Sequence, residues 1–579
     1  MFAKIVFDLP LEKSFDYLIP SHLRNRIAAG VCVKVTLGTK KLTGIVLETT
    51  DKSAFERLKE IKFIDEQYPP LDSSQIAIAF KLNSYYGCSL GQAFFTILRG
   101  CRGQIMTQPT LPQKTKLSLT LHLVPSGDYQ QILVELIKPL NQKNERVLIL
   151  VPDQYVAFSI DQALKKYLPQ NSFIIGTRSL VFRSLADIAL VILIDESNSS
   201  YKQEQTPMYD TRDVLLMRAR KENLEVAFIS ALPSVEMMNL VDKGEIQIKE
   251  LPFEHKVKAQ VVDLNNYKTL FKGILSPAVV SGLESNFNKK LKSVLVFNHR
   301  GSFAMTRCSE CGLILKCQRC DSSMVYSRIK KQYVCRHCSF HLLVEEICPT
   351  CQKPSWKSFG LGIEQLQKAL QDKFPLAKIE AFERGMEEPT KNFDILIGTV
   401  ALLRFKDRIR GNLVAFLDID GELNRLDVRS CYRAFAMAQE VRNLAQEQYF
   451  IQSLNPDHYV IQALVKDNKE IFYREDMRIR KELEVCPFGH QVSIQIRHKN
   501  QKLVETTAEK FYQVLSDKTS LGIQVHEPVV EGTFKKRDFY RMNILLQGRE
   551  VAAMIAFIKK ALQDLKRLGK IIIIFNVDP

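Results

Sequence analysis

The chain has 579 residues, 46% of them hydrophobic and 25% charged, a composition that excludes global disorder and supports several buried cores. A net charge of +17 favours a polyanionic partner, nucleic acid ahead of membrane. No secretory pattern stands at the start, and the longest apolar stretch, residues 551–558, falls far below the roughly 18 residues needed to span a bilayer. The expectation is a cytoplasmic protein without membrane association, whose thirteen cysteines are not disulfides by default.

In chain order, residues 1–105 open with strand patterns at 3–7, 31–37 and 43–48 and continue with a helical pattern over 74–97. Residues 106–117 are polar and basic with two prolines and read as a linker. Over 118–250, short apolar strands at 147–151, 173–175, 190–194 and 226–229 alternate with helical stretches such as 154–168, the pattern of a parallel α/β sheet. A second α/β unit, 290–483, starts with a strand at 292–297. It is interrupted over 305–355 and resumes with a helix after residue 360 and strands at 379–382, 394–397 and 413–417. Residues 484–579 read as an α+β unit with strands near 491–497 and 542–546, a helix near 549–568 and a terminal strand at 571–575.

The interruption carries eight cysteines as Cys308-x2-Cys311, Cys317-x2-Cys320, Cys335-x2-Cys338 and Cys348-x2-Cys351. Each C-x2-C knuckle aims two thiolates at one tetrahedral ion, so four knuckles make two closed structural zinc sites with no position left for a reacting water. The spacing favours a nested arrangement: Cys317, Cys320, Cys335 and Cys338 as an inner site, Cys308, Cys311, Cys348 and Cys351 as an outer one. A cross-braced arrangement, first knuckle with third and second with fourth, stays open.

Further motifs fall in a fixed order. They are Phe15-Asp16-Tyr17-Leu18-Ile19-Pro20, Gly38, Gly44-Ile45-Val46, Tyr85-Tyr86, Leu90-Gly91, Gly176-Thr177-Arg178-Ser179 and Ser199-Ser200-Tyr201-Lys202-Gln203. After the cysteines come Gly398-Thr399, Asp418-x-Asp420, Pro487-Phe488-Gly489 and Val577-Asp578-Pro579. With the cysteine array, this series resembles the family of bacterial primosomal protein N-prime (PriA), the replication-restart helicases, over nearly the whole chain. The resemblance implies a β-rich N-terminal domain that binds the 3′ end of a nascent strand, with Phe15, Asp16, Tyr17, Gly38 and Lys59 in or beside the pocket. It implies two RecA-like helicase-type lobes, a double zinc-ribbon insertion and an α+β C-terminal domain. The implied partners are branched DNA at replication forks, single-stranded-DNA-binding protein, a helicase loader and the replicative helicase.

The motor residues depart from that family. A P-loop needs a lysine on the phosphates and a Ser/Thr on magnesium. Here the segment after His122 puts Gly127, Asp128 and Tyr129 in its place, so a carboxylate stands where triphosphate would bind. The second carboxylate motif is half kept as Asp195-Glu196-Ser197-Asn198, and Asp195 is expected to cap the turn that follows it. The arginine-finger segment has become Gln439-Glu440-Val441-Arg442-Asn443-Leu444-Ala445-Gln446, without its glycines. The winged-helix segment of the family has only the 106–117 linker in its place. The expectation is a replication-restart protein with degenerate helicase lobes, two zinc ions and no use of ATP and magnesium. The alternative is an active ATP-dependent 3′-5′ helicase with an atypical nucleotide site.

Overall fold

The structure is a computed structural model. It describes residues 1–579 apart from 54, 56, 102–116, 125–128, 170, 251–256, 267–274, 298–304, 312, 319–323, 328–331, 336–339, 343–346, 355, 360–362, 383–385, 387, 391, 407, 426, 518–521, 531–534, 537 and 566–570. The 106–117 linker reading therefore lies, except for Leu117, outside the described residues.

The chain starts as a five-stranded antiparallel sheet in the spatial order Phe15–Leu18, Phe2–Val6, Lys40–Thr50, Cys32–Leu37 and Phe63–Ile64. Inward side chains Ala3, Ile5, Tyr17, Val33, Val35 and Val46 form a core of their own. The helical pattern that follows is two helices, Ser73–Tyr86 and Leu90–Gly100, each opened by a complete capping box from Asp72 with Gln75 and Ser89 with Gln92. These helices pack on the other face of that sheet, where Val6, Cys32 and Ile45 share their core. Ile78, Leu82, Phe94 and Ile97 join one large core with residues of the first lobe and the C-terminal unit.

Six parallel strands build the first lobe, in the spatial order Gln247–Glu250, Ser118–Leu123, Glu225–Ser230, Ile188–Ile194, Arg146–Leu150 and Phe173–Gly176. A second six-stranded parallel sheet runs Ala259–Asp263, Ala445–Ser453, Gly411–Phe416, Ser293–Phe297, Ile395–Thr399 and Ile379–Phe382. Near-continuous apolar runs such as Ile188–Ile194 are what a sheet covered on both faces requires. The second sheet takes in Ala259–Asp263, so this lobe begins upstream of the boundary expected at 290. That strand alternates polar and apolar residues at a sheet edge, a weaker signal than the runs at the sheet centre. The cysteine window interrupts the lobe after Ser293–Phe297 and closes on an antiparallel pair, Met305–Cys308 with Trp356–Phe359.

In the C-terminal unit the long antiparallel strands His490–His498 and Phe539–Gly548 pair with each other and the terminal strand Ile572–Val577 flanks the first. Helices Gln501–Asp517 and Val551–Asp564 pack on one face of this sheet. No helix of the described residues is long and apolar enough to cross a membrane.

Gly91 marks the tightest approach between the first sheet and the helices behind it. A Cβ there would stand 1.6 Å from the Phe7 carbonyl oxygen. Gly91→Ala is expected to cost about 3 kcal/mol by overpacking, read as a lower denaturant midpoint at unchanged slope. An unchanged midpoint would mean that the two layers slide apart freely.

Candidate nucleic-acid interface, nucleotide-site remnant and metal centre

Three places hold the residues singled out in the sequence. The first is the edge of the N-terminal sheet. The strand Phe15–Leu18 is covered on its open side by the segment after residue 58, where the Leu18 amide donates to the Lys59 carbonyl at 2.9 Å and the Ile61 amide to the Leu18 carbonyl at 3.1 Å. This lap joint brings Lys59 beside the turn at Gly38, whose carbonyl accepts from Lys59 Nζ at 2.6 Å. Gly38 has a positive φ of 60° and open space where a side chain would be, which suits a backbone that a ligand approaches closely. Asp16 is half-buried and accepts from Ser53 Oγ at 2.6 Å. Phe15 lies edge-on to Phe7 at 5.6 Å, with Lys13 Nζ 5.2 Å from its ring centre. Tyr17 differs from the other four. Its ring is 4% exposed within the sheet core and its hydroxyl donates to the Thr36 carbonyl at 3.1 Å. It therefore offers no stacking face and braces the Gly38 turn from beneath. Ser53 gave no signal in the sequence. It is recognisable only once folding sets it against a carboxylate 37 residues away.

The second place is the carboxyl edge of the first parallel sheet, where α/β folds bind ligands. Gly127 and Asp128 lie outside the described residues. Tyr129, Asp195 and Glu196 do not. Asp195 follows the strand Ile188–Ile194 with a positive φ of 52°. Its carboxylate does not cap the following turn as expected. It accepts from the Tyr129 hydroxyl at 2.5 Å, because Tyr129, at the start of the helix Gln130–Gln142, reaches across the sheet edge. Burial raises the Asp195 carboxyl above its usual range and the Tyr129 bond offsets this only in part. Glu196 is fully enclosed. It accepts from the Ser234 amide at 2.6 Å, from Ser234 Oγ at 2.9 Å and from Arg212 at 3.3 Å. In the second lobe, Arg442 of the 439–446 segment points inward. It is 1% exposed and donates to the Val257 carbonyl at 2.6 Å and to Asp467 at 2.7 Å.

The lobes are tied to each other along residues 230–236. The Tyr432 hydroxyl donates to the Leu232 carbonyl at 2.8 Å and the Tyr473 hydroxyl to the Pro233 carbonyl at 2.7 Å. Val235, of the first lobe, is fully buried in the core of the second. Beside it Glu236 meets Arg429 at 3.3 Å, Arg480 at 3.4 Å and Arg212 at 3.8 Å. Burial opposes its ionisation, but Arg429, Arg212 and Arg480 outweigh that and hold its carboxyl well below the ordinary range.

The third place is the cysteine window. The sulfurs of Cys308, Cys311, Cys348 and Cys351 lie within 4.8 Å of one another. The first knuckle thus meets the fourth, a geometry that the cross-braced pairing does not have. Cys308 Sγ is 3.5 Å from Cys351 Sγ, and Cys311 Sγ is 3.6 Å from Cys348 Sγ. Four sulfurs about 2.3 Å from a zinc ion stand about 3.8 Å apart, so the cluster accepts a metal with little movement. The Leu313 amide favours a Cys311 thiolate, but desolvation and the neighbouring thiols of Cys308, Cys348 and Cys351 push it up to about 12. A bound cation is what lets four such thiols ionise together. Cys317 and Cys335 are buried around Met324 and Tyr333. Cys320 and Cys338 lie outside the described residues.

These features define a class: a multidomain α/β protein with two six-stranded parallel lobes and a cysteine cluster fit for a metal ion in the second. Residues 4–99 match the family model for the 3′ DNA-binding domain of PriA. The chain is 24% identical to the replication restart protein PriA of Bacillus subtilis, over 93% of this chain and 70% of that one. It is 23% identical to PriA of Rickettsia conorii and 24% identical to PriA of Treponema pallidum, each over 100% of this chain and 99% of the relative. Over its whole length the chain is thus similar to replication restart proteins of the PriA family. Among solved structures, the Hef helicase domain of Pyrococcus furiosus aligns with 58% of this chain at 10% identity and a TM-score of 0.29, a likeness too slight to bear on the fold.

Removing the Tyr129 hydroxyl leaves the Asp195 carboxylate without its hydrogen bond. Tyr129→Phe is expected to lose about 1–3 kcal/mol at pH 7.5. Because the folded Asp195 carboxyl already titrates above its unfolded value, its ionised form costs stability at high pH, and that cost disappears once it is protonated. The deficit of the variant should therefore shrink as pH falls from 7.5 to 5. Denaturant melts at both values check the sign, and a deficit that grows at pH 5 would refute it.

Proposed function

We propose that the chain recognises the 3′ end of a nascent strand at branched DNA and serves as a scaffold for helicase loading, without an ATP-driven motor of its own. The Tyr129–Asp195 hydrogen bond carries this reading. The carboxylate that would serve magnesium is occupied by the residue standing where a magnesium-binding hydroxyl belongs. Two further observations support it. Arg442 is committed to Val257 and Asp467 in the interior. The lobes share buried contacts at Val235 and Glu236 that a nucleotide-driven opening and closing would have to break.

On the DNA side, Asp16 accepts hydrogen bonds from the terminal sugar or base, Lys59 meets the phosphate backbone, and the Phe15 edge and Gly38 turn shape the pocket. The cysteine window holds two zinc ions, the outer by Cys308, Cys311, Cys348 and Cys351 and the inner by Cys317, Cys320, Cys335 and Cys338. Each ion is structural, since four protein thiolates leave no open position. Single-stranded-DNA-binding protein, a helicase loader and the replicative helicase are the partners of the reading.

Binding to forks with and without a free 3′-hydroxyl, paired with ATP turnover on the same forks, tests it. The wild-type chain should prefer the free 3′ end, and Asp16→Ala should lose about 10-fold in affinity for that fork only, the worth of one hydrogen bond to a charged group. Turnover that disappears in Asp195→Ala would establish an active helicase and sink the scaffold reading. Cys308→Ser and Cys317→Ser should each lower the zinc content of the chain by one ion, measured by elemental analysis. Equal zinc in either variant and the wild type contradicts the pairing given for that site.

A further inference from the structure

A second cluster of metal-ligand side chains lies outside the cysteine window. The turn entering the C-terminal sheet supplies Cys486 and His490, four residues apart, and the end of the terminal strand supplies Asp578. A Cys486 sulfur, a His490 ring nitrogen and an Asp578 carboxylate oxygen lie within 4.8 Å of one another. His490 Nδ1 is 2.8 Å from Asp578 Oδ2, while Asp578 Oδ1 accepts from the Gln491 amide at 2.9 Å, which fixes the carboxylate in its plane. Glu236 Oε1 stands 3.8 Å from Cys486 Sγ. Beside Cys486 and Asp578 is a cavity of about 10 Å³ whose walls also include Glu236 and Arg429. That is room for one water molecule or one ion and for nothing larger.

The charges around it leave a deficit. The six carboxylates of Glu196, Asp210, Asp213, Glu236, Asp476 and Asp578 face the four cations of Lys202, Arg212, Arg429 and Arg480 and the His490 ring, whose charged form burial disfavours but Asp578 favours. The excess shows at Asp213, whose carboxyl is pushed up to about 6 by burial and then by Asp210. A buried anionic excess is relieved either by protons or by a cation. A thiol, an imidazole and a carboxylate are the donor set that selects a borderline-soft divalent ion over magnesium or calcium.

The geometry points to a third metal site: Cys486 Sγ, His490 Nδ1 and Asp578 Oδ2 bind one divalent cation of the zinc type, separate from those of the cysteine window. On binding, the Cys486 thiol gives its proton to solvent and the sulfur bonds the metal. The proton that His490 Nδ1 shares with Asp578 in the free site also leaves to solvent, the ring keeping its proton on Nε2, so that the Nδ1 lone pair and Asp578 Oδ2 each bond the ion. Water or Glu236 fills the fourth position. The ion clips the 485–490 turn to the end of the terminal strand, at the junction of both lobes with the C-terminal unit. The inference stands apart from the proposed function, since it holds whether or not the lobes hydrolyse ATP.

X-ray absorption at the zinc edge of the full-length, zinc-loaded wild type tests it without any variant. The cysteine window contributes only sulfur at about 2.3 Å, whereas this site adds nitrogen and oxygen at about 2.0–2.2 Å. A shell of nitrogen and oxygen is expected, and a sulfur-only spectrum overturns the proposal. In the same preparation, Cys486→Ser and His490→Ala should each carry one zinc fewer than the wild type, while Cys308→Ser loses an ion from the window and keeps the nitrogen and oxygen shell. Wild-type zinc content in both Cys486→Ser and His490→Ala overturns the proposal even where the mixed shell is seen.

Discussion

Glu236 is a buried carboxylate at the start of the helix Val235–Asp242 of the first lobe, and two of its three arginine partners belong to the second. Arg429 of that group also donates to the Asp578 carbonyl at 2.8 Å, which brings in the C-terminal unit. Taking one such carboxylate out of water costs several kcal/mol unless its partners are in place. The three units can therefore bury this junction only in one mutual arrangement. The ring of charges contributes little net stability compared with apolar packing, but it punishes every other docking of the lobes.

The same constraint bears on the lobes as a machine. In a motor, nucleotide between two α/β lobes opens and closes a cleft. Here residues 230–236, at the carboxyl edge of the first sheet, are held by Tyr432 and Tyr473 and anchored by Val235 in the second core. The two segments singled out in the sequence, 195–198 and 439–446, fall on either side of that seam. Asp195 faces Tyr129 on one side, and Arg442 is turned into the second lobe on the other. The scaffold proposed above would profit from such rigidity, which keeps its N-terminal sheet edge and its metal module in constant relation to each other. The module is itself tied to the C-terminal unit, where Lys535 Nζ donates to the Gln318 carbonyl at 3.1 Å.

Strands at the centre of the parallel sheets were legible because burial on both faces makes them apolar throughout, as in Ile188–Ile194 and Ser293–Phe297. Edge elements were not. Ala259–Asp263 alternates weakly, and Gln501–Asp517 carries a mixed polar and apolar surface. The helix pair Ser73–Tyr86 and Leu90–Gly100 was visible as helix, but its allegiance to the first lobe was hidden, since a periodic apolar face does not say what covers it.

At the sites, the sequence by itself determined the chemistry that depends on spacing along the chain. Four C-x2-C knuckles mark a metal module because each pair lies on one local turn. Only the tertiary structure decided what depends on residues far apart. It joined the first knuckle to the fourth, took the Tyr17 ring into the core and gave Asp195 to Tyr129. It also gathered Cys486, His490 and Asp578 into one cluster, of which Cys486 and Asp578 line a small cavity. Such contacts form when strands and lobes close over one another, and no local pattern in the chain encodes which side chains then share a space.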